Sequence, residues 1–261
     1  MGSLTFVGLG LYDEYGLSLI GLEKTRQTQK VYVERYTSLM PDLSLKNLEK
    51  LLGKPLLELT RKDLEENAEE TILKDAEKTD VTLLVPGDPM VATTHIALLL
   101  KAHEMGIKTH VVNGVSIYSA IPSVTGLQIY KFGRTVTIPF PTETYEPQIP
   151  YEVIEENDLR SLHTLILLDI DAEKKRYMTI REGIEYLLKI EEKRRRKVVT
   201  SDRLVVGVAG VGSPNPTVKG GRIKEIINAK FENLPHTLVF PGKLHFMEAK
   251  TLQVFANVPP E

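Results

Sequence analysis

The chain has 261 residues, 42% of them apolar and 26% charged, and its 33 basic and 35 acidic side chains leave a formal net charge of -2. That length buries a full core as one large or two ordinary domains, and the near-balanced charge gives no support to a scaffold that binds nucleic acid by bulk charge. The absence of cysteine excludes disulfides, thiol nucleophiles and cysteine metal sites, and with no apolar run near the ~20 residues of a membrane span and no signal-peptide pattern, the expectation is a soluble, cytoplasmic protein.

In chain order, Leu4 to Val7 reads as a strand and Leu17 to Thr28 as a helix with Leu19, Ile20 and Leu22 on one side. Lys30 to Glu34 is a second strand. Ser44 to Leu52 and Thr60 to Lys78 read as helices, the latter opening with a capping pattern at Thr60 and Asp63. Val81 to Val85 is a third strand, Thr93 to Met105 a helix ended by Gly106, and Lys108 to Asn113 a fourth strand. Strands separated by helices imply a parallel sheet with right-handed crossovers.

The texture changes near Gly133, and a domain boundary is expected around Lys131 to Thr135, giving domains 1–132 and 133–261. In the second half, Thr135 to Phe140 reads as a strand, with a proline-rich extended loop to Pro150. Helices follow at Tyr151 to Arg160, Thr179 to Lys193 and Lys243 to Phe255, and strands at Thr164 to Asp169, Leu204 to Ala209 and Thr237 to Phe240. The charged run from Glu191 to Lys197 reads as a solvated helix end.

Four strand-end loops carry small or polar residues. At Leu83-Leu84-Val85-Pro86-Gly87-Asp88-Pro89 an apolar strand stops at a rigid turn with one carboxylate at the start of a helical segment. Alone, this is either a tight turn with a capping aspartate or a ligand loop. Gly8-Leu9-Gly10 resembles the opening of a dinucleotide fingerprint, with Glu34 where a ribose-binding acid would stand. The third glycine is missing, however, and Asp13 and Glu14 would set negative charge against a phosphate. A cofactor without phosphates, or a positively charged one, fits better. Asn113-Gly114-Val115-Ser116 and Gly210-Val211-Gly212 are further loops, and Ser116 also reads as a helix cap. The histidines show no metal-helix spacing, and no G-x-S-x-G elbow supports a hydrolase.

Taken together, Gly8-Leu9-Gly10-Leu11, Glu34-Arg35-Tyr36-Thr37-Ser38-Leu39, Pro86-Gly87-Asp88-Pro89 and Ser116-Ile117-Tyr118-Ser119-Ala120 appear in an order that resembles the archaeal-type diphthine synthases. These are a branch of the tetrapyrrole-methylase class of S-adenosylmethionine enzymes. The likeness continues through Thr125 to Gly133, His163-Thr164-Leu165, Leu168-Asp169-Ile170 and Pro241-Gly242-Lys243-Leu244-His245, nearly the whole chain. At the first loop the wider class usually reads Gly-Pro-Gly-Asp-Pro where this chain has Gly10-Leu11-Tyr12-Asp13-Glu14, which favours the protein-modifying branch.

The resemblance implies an α/β fold of two α/β/α domains with a cofactor cleft between them, in a homodimer. It implies S-adenosyl-L-methionine as cofactor, with S-adenosyl-L-homocysteine as its product. The contacts carried over are Leu11, Asp88, Val91, Ser116 and Ile117, with Leu168, Val211 and His236 from the second half. The implied reaction methylates the amino group of aminocarboxypropyl-histidine on translation elongation factor two to give diphthine. It assigns no catalytic residue, metal ligand, membrane or nucleic-acid partner. Lys131, Arg134 and Lys243 stand as candidates to meet a substrate carboxylate. The alternatives are a corrin-precursor methyltransferase of the same fold and a non-catalytic cofactor-binding protein.

Overall fold

A computed structural model describes residues 2–259. The chain divides into two compact units, 1–117 and 118–261. In the first, the elements are β1 (Ser3–Gly8), α1 (Leu19–Gln27), β2 (Lys30–Glu34), α2 (Leu45–Leu52), β3 (Leu57–Leu59), α3 (Arg61–Glu65), α4 (Ile72–Ala76), β4 (Asp80–Val85), α5 (His95–Glu104) and β5 (Lys108–Val112). The strands form one sheet in the order β3-β2-β4-β1-β5, with every ladder parallel. Central β1 and β4 are apolar almost throughout, as strands covered on both faces must be. These neighbours send the chain in opposite directions across the sheet, β1 to β2 and β4 to β5. Open α/β sheets bind ligands beyond the strand carboxyl ends at such a switch.

Two helices differ from the sequence reading. In α1, Leu19 and Ile20 are 79% and 50% exposed, and Gly21 and Thr25 are the buried residues. A Cβ at Gly21 would stand 2.8 Å from Val7 Cγ1, so α1 meets the sheet along its smallest residue; Leu19 and Ile20 turn outward, and of the three apolar residues expected on one side only Leu22 packs against the core. The segment 60–78 opens with the expected capping box at Thr60 and Asp63 but is not one helix. Between α3 and α4 the Thr71 hydroxyl donates to the carbonyls of Asp63 and Asn67, both at 2.9 Å. Side-chain bonds of this kind compete with the helical ladder.

The second unit comprises α6 (Ile117–Thr125, its first residue in the first unit), β6 (Val136–Ile138), α7 (Ile149–Leu159), β7 (Thr164–Leu168), β8 (Ile170–Asp171), β9 (Arg176–Tyr177), α8 (Ile180–Arg194), β10 (Leu204–Ala209), β11 (Thr217–Arg222), α9 (Ile223–Ile226), β12 (His236–Phe240) and α10 (Phe246–Phe255). Its main sheet runs β11-β10-β12-β7-β6 and is mixed, with only β6–β7 parallel. Tyr151, Ile184, Leu187 and Phe240 lie at its core. Strand β11 escapes sequence pattern because it contains Lys219-Gly220-Gly221; its pairing with β10 creates it. Among the described residues no helix is long and apolar enough to cross a membrane.

Residues 118–132 fall in the second unit, although the sequence texture changes only near 133. A buried polar cluster ties Gln128 and Lys131 to that unit. Glu248, 1% exposed, accepts from the backbone N–H of Gln128 and His245 at 3.0 and 2.8 Å, from the Lys131 ammonium, and meets His163 Nε2 at 2.9 Å. Lys131 also donates to the Lys243 carbonyl at 2.7 Å. Its ammonium is therefore engaged within the fold, contrary to its expected availability to substrate. Burial raises the Glu248 pKa, but the His245, Lys131, Gln128 and His163 bonds outweigh it and bring it down to about 2.

The charged run at the end of α8 is likewise more than a solvated end. Glu191 gathers the N–H groups of Lys197, Val198 and Val199 at 2.7–2.8 Å and the Tyr151 hydroxyl at 2.8 Å. Arg194 and Arg196 pair with Glu152 and Glu155.

Removing Glu248 takes the shared acceptor from Gln128, Lys131, His163 and His245, so Glu248→Ala should lose about 3–5 kcal/mol in urea unfolding at pH 7. The folded pKa is depressed, so this stability is present above the ordinary carboxylate value and lost as pH falls toward about 2. The gap between wild type and variant should narrow from pH 5 to pH 2.5; a constant gap would contradict the assignment.

Candidate active site

The carboxyl ends of β1, β4 and β5 meet backbone to backbone. A Cβ on Gly8 would stand 2.5 Å from the Gly87 carbonyl oxygen and 2.6 Å from Gly114 Cα. Gly10 and Gly87 exchange hydrogen bonds, N–H to carbonyl, at 3.2 and 2.6 Å. Gly87 has φ +71°, a conformation that favours glycine. On its open side a Cβ would find only Leu11 Cδ2 at 3.9 Å and the Val115 carbonyl at 4.0 Å. This open space over the bare Gly87 backbone, flanked by Leu11 of the first loop and Val115 of the third, is the groove at the strand ends.

Asp88 holds these loops together. It is 5% exposed, and its carboxylate accepts from Met90 N–H at 2.9 Å, Asn113 Nδ2 at 3.0 Å and Gly114 N–H at 3.2 Å. Helix α5 does not start beside it, as expected from sequence, but at His95 after several residues of turn. Val91 N–H donates to the Asp88 carbonyl at 3.2 Å. Leu11, Asp88, Val91, Ser116 and Ile117 thus all sit on loops at this end of the first sheet, or at the helix start that follows. Asn113 and Gly114, which the sequence shows only as loop residues, are thus the donors that fix Asp88. The Asn-Gly pair directly after a strand was the available signal.

The first-loop acids have local roles. Asp13 accepts from Tyr15 N–H at 3.0 Å, and buried Glu14 accepts from Ser44 N–H at 3.2 Å. Glu34 likewise does not present a carboxylate to a ribose. It is fully buried and binds Tyr36 N–H at 2.9 Å, Thr37 N–H at 3.1 Å and the Thr37 hydroxyl. Its Oε1 lies 3.6 Å from His95 Nε2. Burial raises the Glu34 pKa to about 7 against the Thr37 and Tyr36 bonds and the Arg61 charge. Burial lowers His95 to about 4, with Glu65 opposing.

In the second unit, Leu168, Val211 and His236 also come together. His236 opens β12 opposite Ala209 at the end of β10, two residues before Val211, and Thr237 pairs with Leu167 beside Leu168. All three are buried. His236 Nδ1 accepts from Ile180 N–H at 3.2 Å, which ties the start of α8 to the sheet end. Burial lowers its pKa, outweighing the backbone groups of Asn233 and Phe231.

A parallel α/β sheet with a backbone-floored groove at its switch point, joined in sequence to a second mixed sheet, defines a class. Residues 3–227 match the family of Tetrapyrrole (Corrin/Porphyrin) Methylases, and the chain belongs to that family. It is 46% identical over 255 residues to the diphthine synthase of Methanocella arvoryzae, covering 98% of each chain. It is 44% identical over 252 residues to that of Methanocaldococcus jannaschii, covering 96% of this chain and 97% of the other. A crystal structure of diphthine synthase is similar with a TM-score of 0.89 at 39% identity, covering 99% of this chain and 97% of that one. Within the family, these likenesses put the chain among the diphthine synthases.

The Glu34–His95 pair has a pH signature. A raised carboxylate pKa means that the folded state holds more protons than the unfolded chain, so Glu34 makes stability fall from about pH 4.5 to 7. A lowered histidine pKa works oppositely, so His95 makes stability rise from about pH 4 to 6.5. In the wild type the two slopes largely cancel. Relative to it, Glu34→Gln should gain stability on going from pH 4.5 to 6.5 and His95→Gln should lose it, by urea midpoints. Parallel pH profiles in all three proteins would refute the opposed titrations.

Proposed function

We propose that the protein uses S-adenosyl-L-methionine to methylate the amino group of aminocarboxypropyl-histidine on translation elongation factor two, forming diphthine on the route to diphthamide. The observation that carries this reading is the backbone-floored groove at the β1, β4 and β5 ends, in a chain alike over its full length to diphthine synthases. A groove bounded by a carbonyl and an apolar side chain, with a buried carboxylate beneath it, suits a cationic cofactor without phosphates. Leu11, Asp88, Val91, Ser116 and Ile117 are its proposed contacts in the first unit, and Leu168, Val211 and His236 those in the second. The protein acts as a homodimer in the cytoplasm, where its protein substrate works.

When bound, S-adenosylmethionine supplies a methyl group on a sulfonium. Transfer to an amine is an in-line displacement, so the chain's own task is placement. Holding reacting atoms about 3–3.5 Å apart is worth roughly 7–11 kcal/mol of the barrier. Asp88 serves this by fixing the β4 and β5 loops against one another. The amine reacts unprotonated, and solvent takes the proton released.

Elongation factor two bearing the aminocarboxypropyl-histidine precursor, incubated with the protein and S-adenosylmethionine, should gain mass in methyl steps by intact-mass spectrometry. A factor with the target histidine replaced should not. No gain despite cofactor binding would redirect the reading to a small-molecule acceptor or to a binding role. Asp88→Ala should weaken S-adenosylmethionine binding about tenfold or more in calorimetry, about 1.4 kcal/mol. Unchanged affinity would remove Asp88 from the site.

A further inference from the structure

A cavity of about 660 Å³ opens in the first unit, lined by Tyr36 after β2, by the turn between α3 and α4, and by the start of α5. Four carboxylates line it, Glu65, Glu66, Glu69 and Glu70, against the single ammonium of Lys101. Lys101 is paired with Glu69 at 2.8 Å, and Glu65 accepts from the Thr94 hydroxyl at 2.8 Å and pairs with Arg61, which lies over the Tyr36 ring, at 3.9 Å. Glu66 and Glu70 are exposed and enter no ion pair among the described residues. The uncompensated negative charge at the cavity is therefore that of Glu66 and Glu70.

Its inner wall adds a second, independent feature. The His95 side chain is 1% exposed, and neither ring nitrogen has a hydrogen-bond partner. Buried polar groups are seldom left this way, and an unpaired one calls for an explanation. Burial keeps the ring neutral at pH 7, so it offers one N–H donor and one bare nitrogen acceptor. With Nε2 turned toward Glu34 Oε1 at 3.6 Å, Nδ1 is the ring nitrogen left to meet one peptide group. Leu64, Ala68, Ala97 and Leu98 provide apolar wall, against which the methylene stems of lysine or arginine can lie.

We propose that this cavity is the docking site for a basic peptide segment of the protein substrate, its lysine or arginine side chains meeting Glu66 and Glu70 and its backbone meeting His95. The methyltransferase reading enters only in naming the protein that supplies the segment. The loop from Gly87 and Asp88 to Thr94 and His95 joins the backbone-floored groove to the cavity. A segment docked here is thus held at the carboxyl end of the same sheet that carries the groove.

The full-length protein is titrated with a capped hexapeptide alternating glycine and arginine, and with a glycine–glutamine hexapeptide as neutral control. Saturable 1:1 binding is expected for the arginine peptide alone, weakened tenfold or more by the double variant Glu66→Gln/Glu70→Gln and by His95→Gln. The two glutamates are exposed, so their replacement leaves folding intact and keeps the test decisive if His95→Gln does not fold. S-adenosylmethionine affinity should not change in the double variant. With precursor-bearing elongation factor two, that variant should raise KM at least tenfold with kcat within twofold. No saturable binding, equal binding of both peptides, or binding unaffected by the double variant overturns the proposal. So does methylation of the factor with an unchanged KM. Selective, glutamate-dependent peptide binding without methylation of the factor by wild type upholds the docking site and refutes the assigned reaction instead.

Discussion

The close approach of three backbones at the ends of β1, β4 and β5, stapled by Asp88, is the constraint on which the first unit's groove depends. Gly8 and Gly114 pack so tightly against one another and the Gly87 carbonyl that side chains there would collide with main chain, while Gly87 itself takes a φ of +71° and faces open space. What then holds the loops together is a buried charge. A desolvated carboxylate demands donors, and Met90, Asn113 and Gly114 provide them from two different loops. The groove is consequently formed before any ligand arrives, as a reaction that depends on placement requires.

The same device recurs away from the groove. Glu34 organises the turn after β2, Glu191 the turn after α8, and Glu248 the segment before β6, each by collecting backbone N–H groups of residues outside regular structure. A carboxylate can accept several donors at once, and such bonds favour its charged form. Glu34 is the instructive exception. Its burial is so complete that desolvation overrides its donors, and its neighbour His95 is pushed the other way for the same reason. Two groups 3.6 Å apart are thereby both driven toward their neutral forms, and His95 is left with unused hydrogen-bonding capacity at the cavity wall.

The two ends of the β4–α5 connection divide labour within the first unit. At Gly87 and Asp88 the backbone is bare and rigid, suited to a small ligand. At Thr94 and His95 the chain borders an acid-rimmed cavity suited to a peptide. Their joining by one short loop is a consequence of sheet order, since β4 lies between β2 and β1.

The sequence by itself determined the alternating β/α order of the first half, the parallel sheet and the glycine-marked strand ends, because hydrophobic periodicity and turn chemistry are local. Motif order also placed the chain in its family. Tertiary structure alone decided which way α1 faces, since the steric demand of Val7 against Gly21 outranks an amphipathic stripe. It also decided the break between α3 and α4, where Thr71 bonds to carbonyls back along the chain, and the existence of β11, which its partner strand imposes. The destinations of Glu34, Lys131 and Asp88 were equally out of reach, because whether a charged side chain faces solvent, a ligand or a buried donor depends on residues distant in sequence. Glu248 and Gln128 are 120 positions apart, yet their bond helps hold residues 118–132 in the second unit.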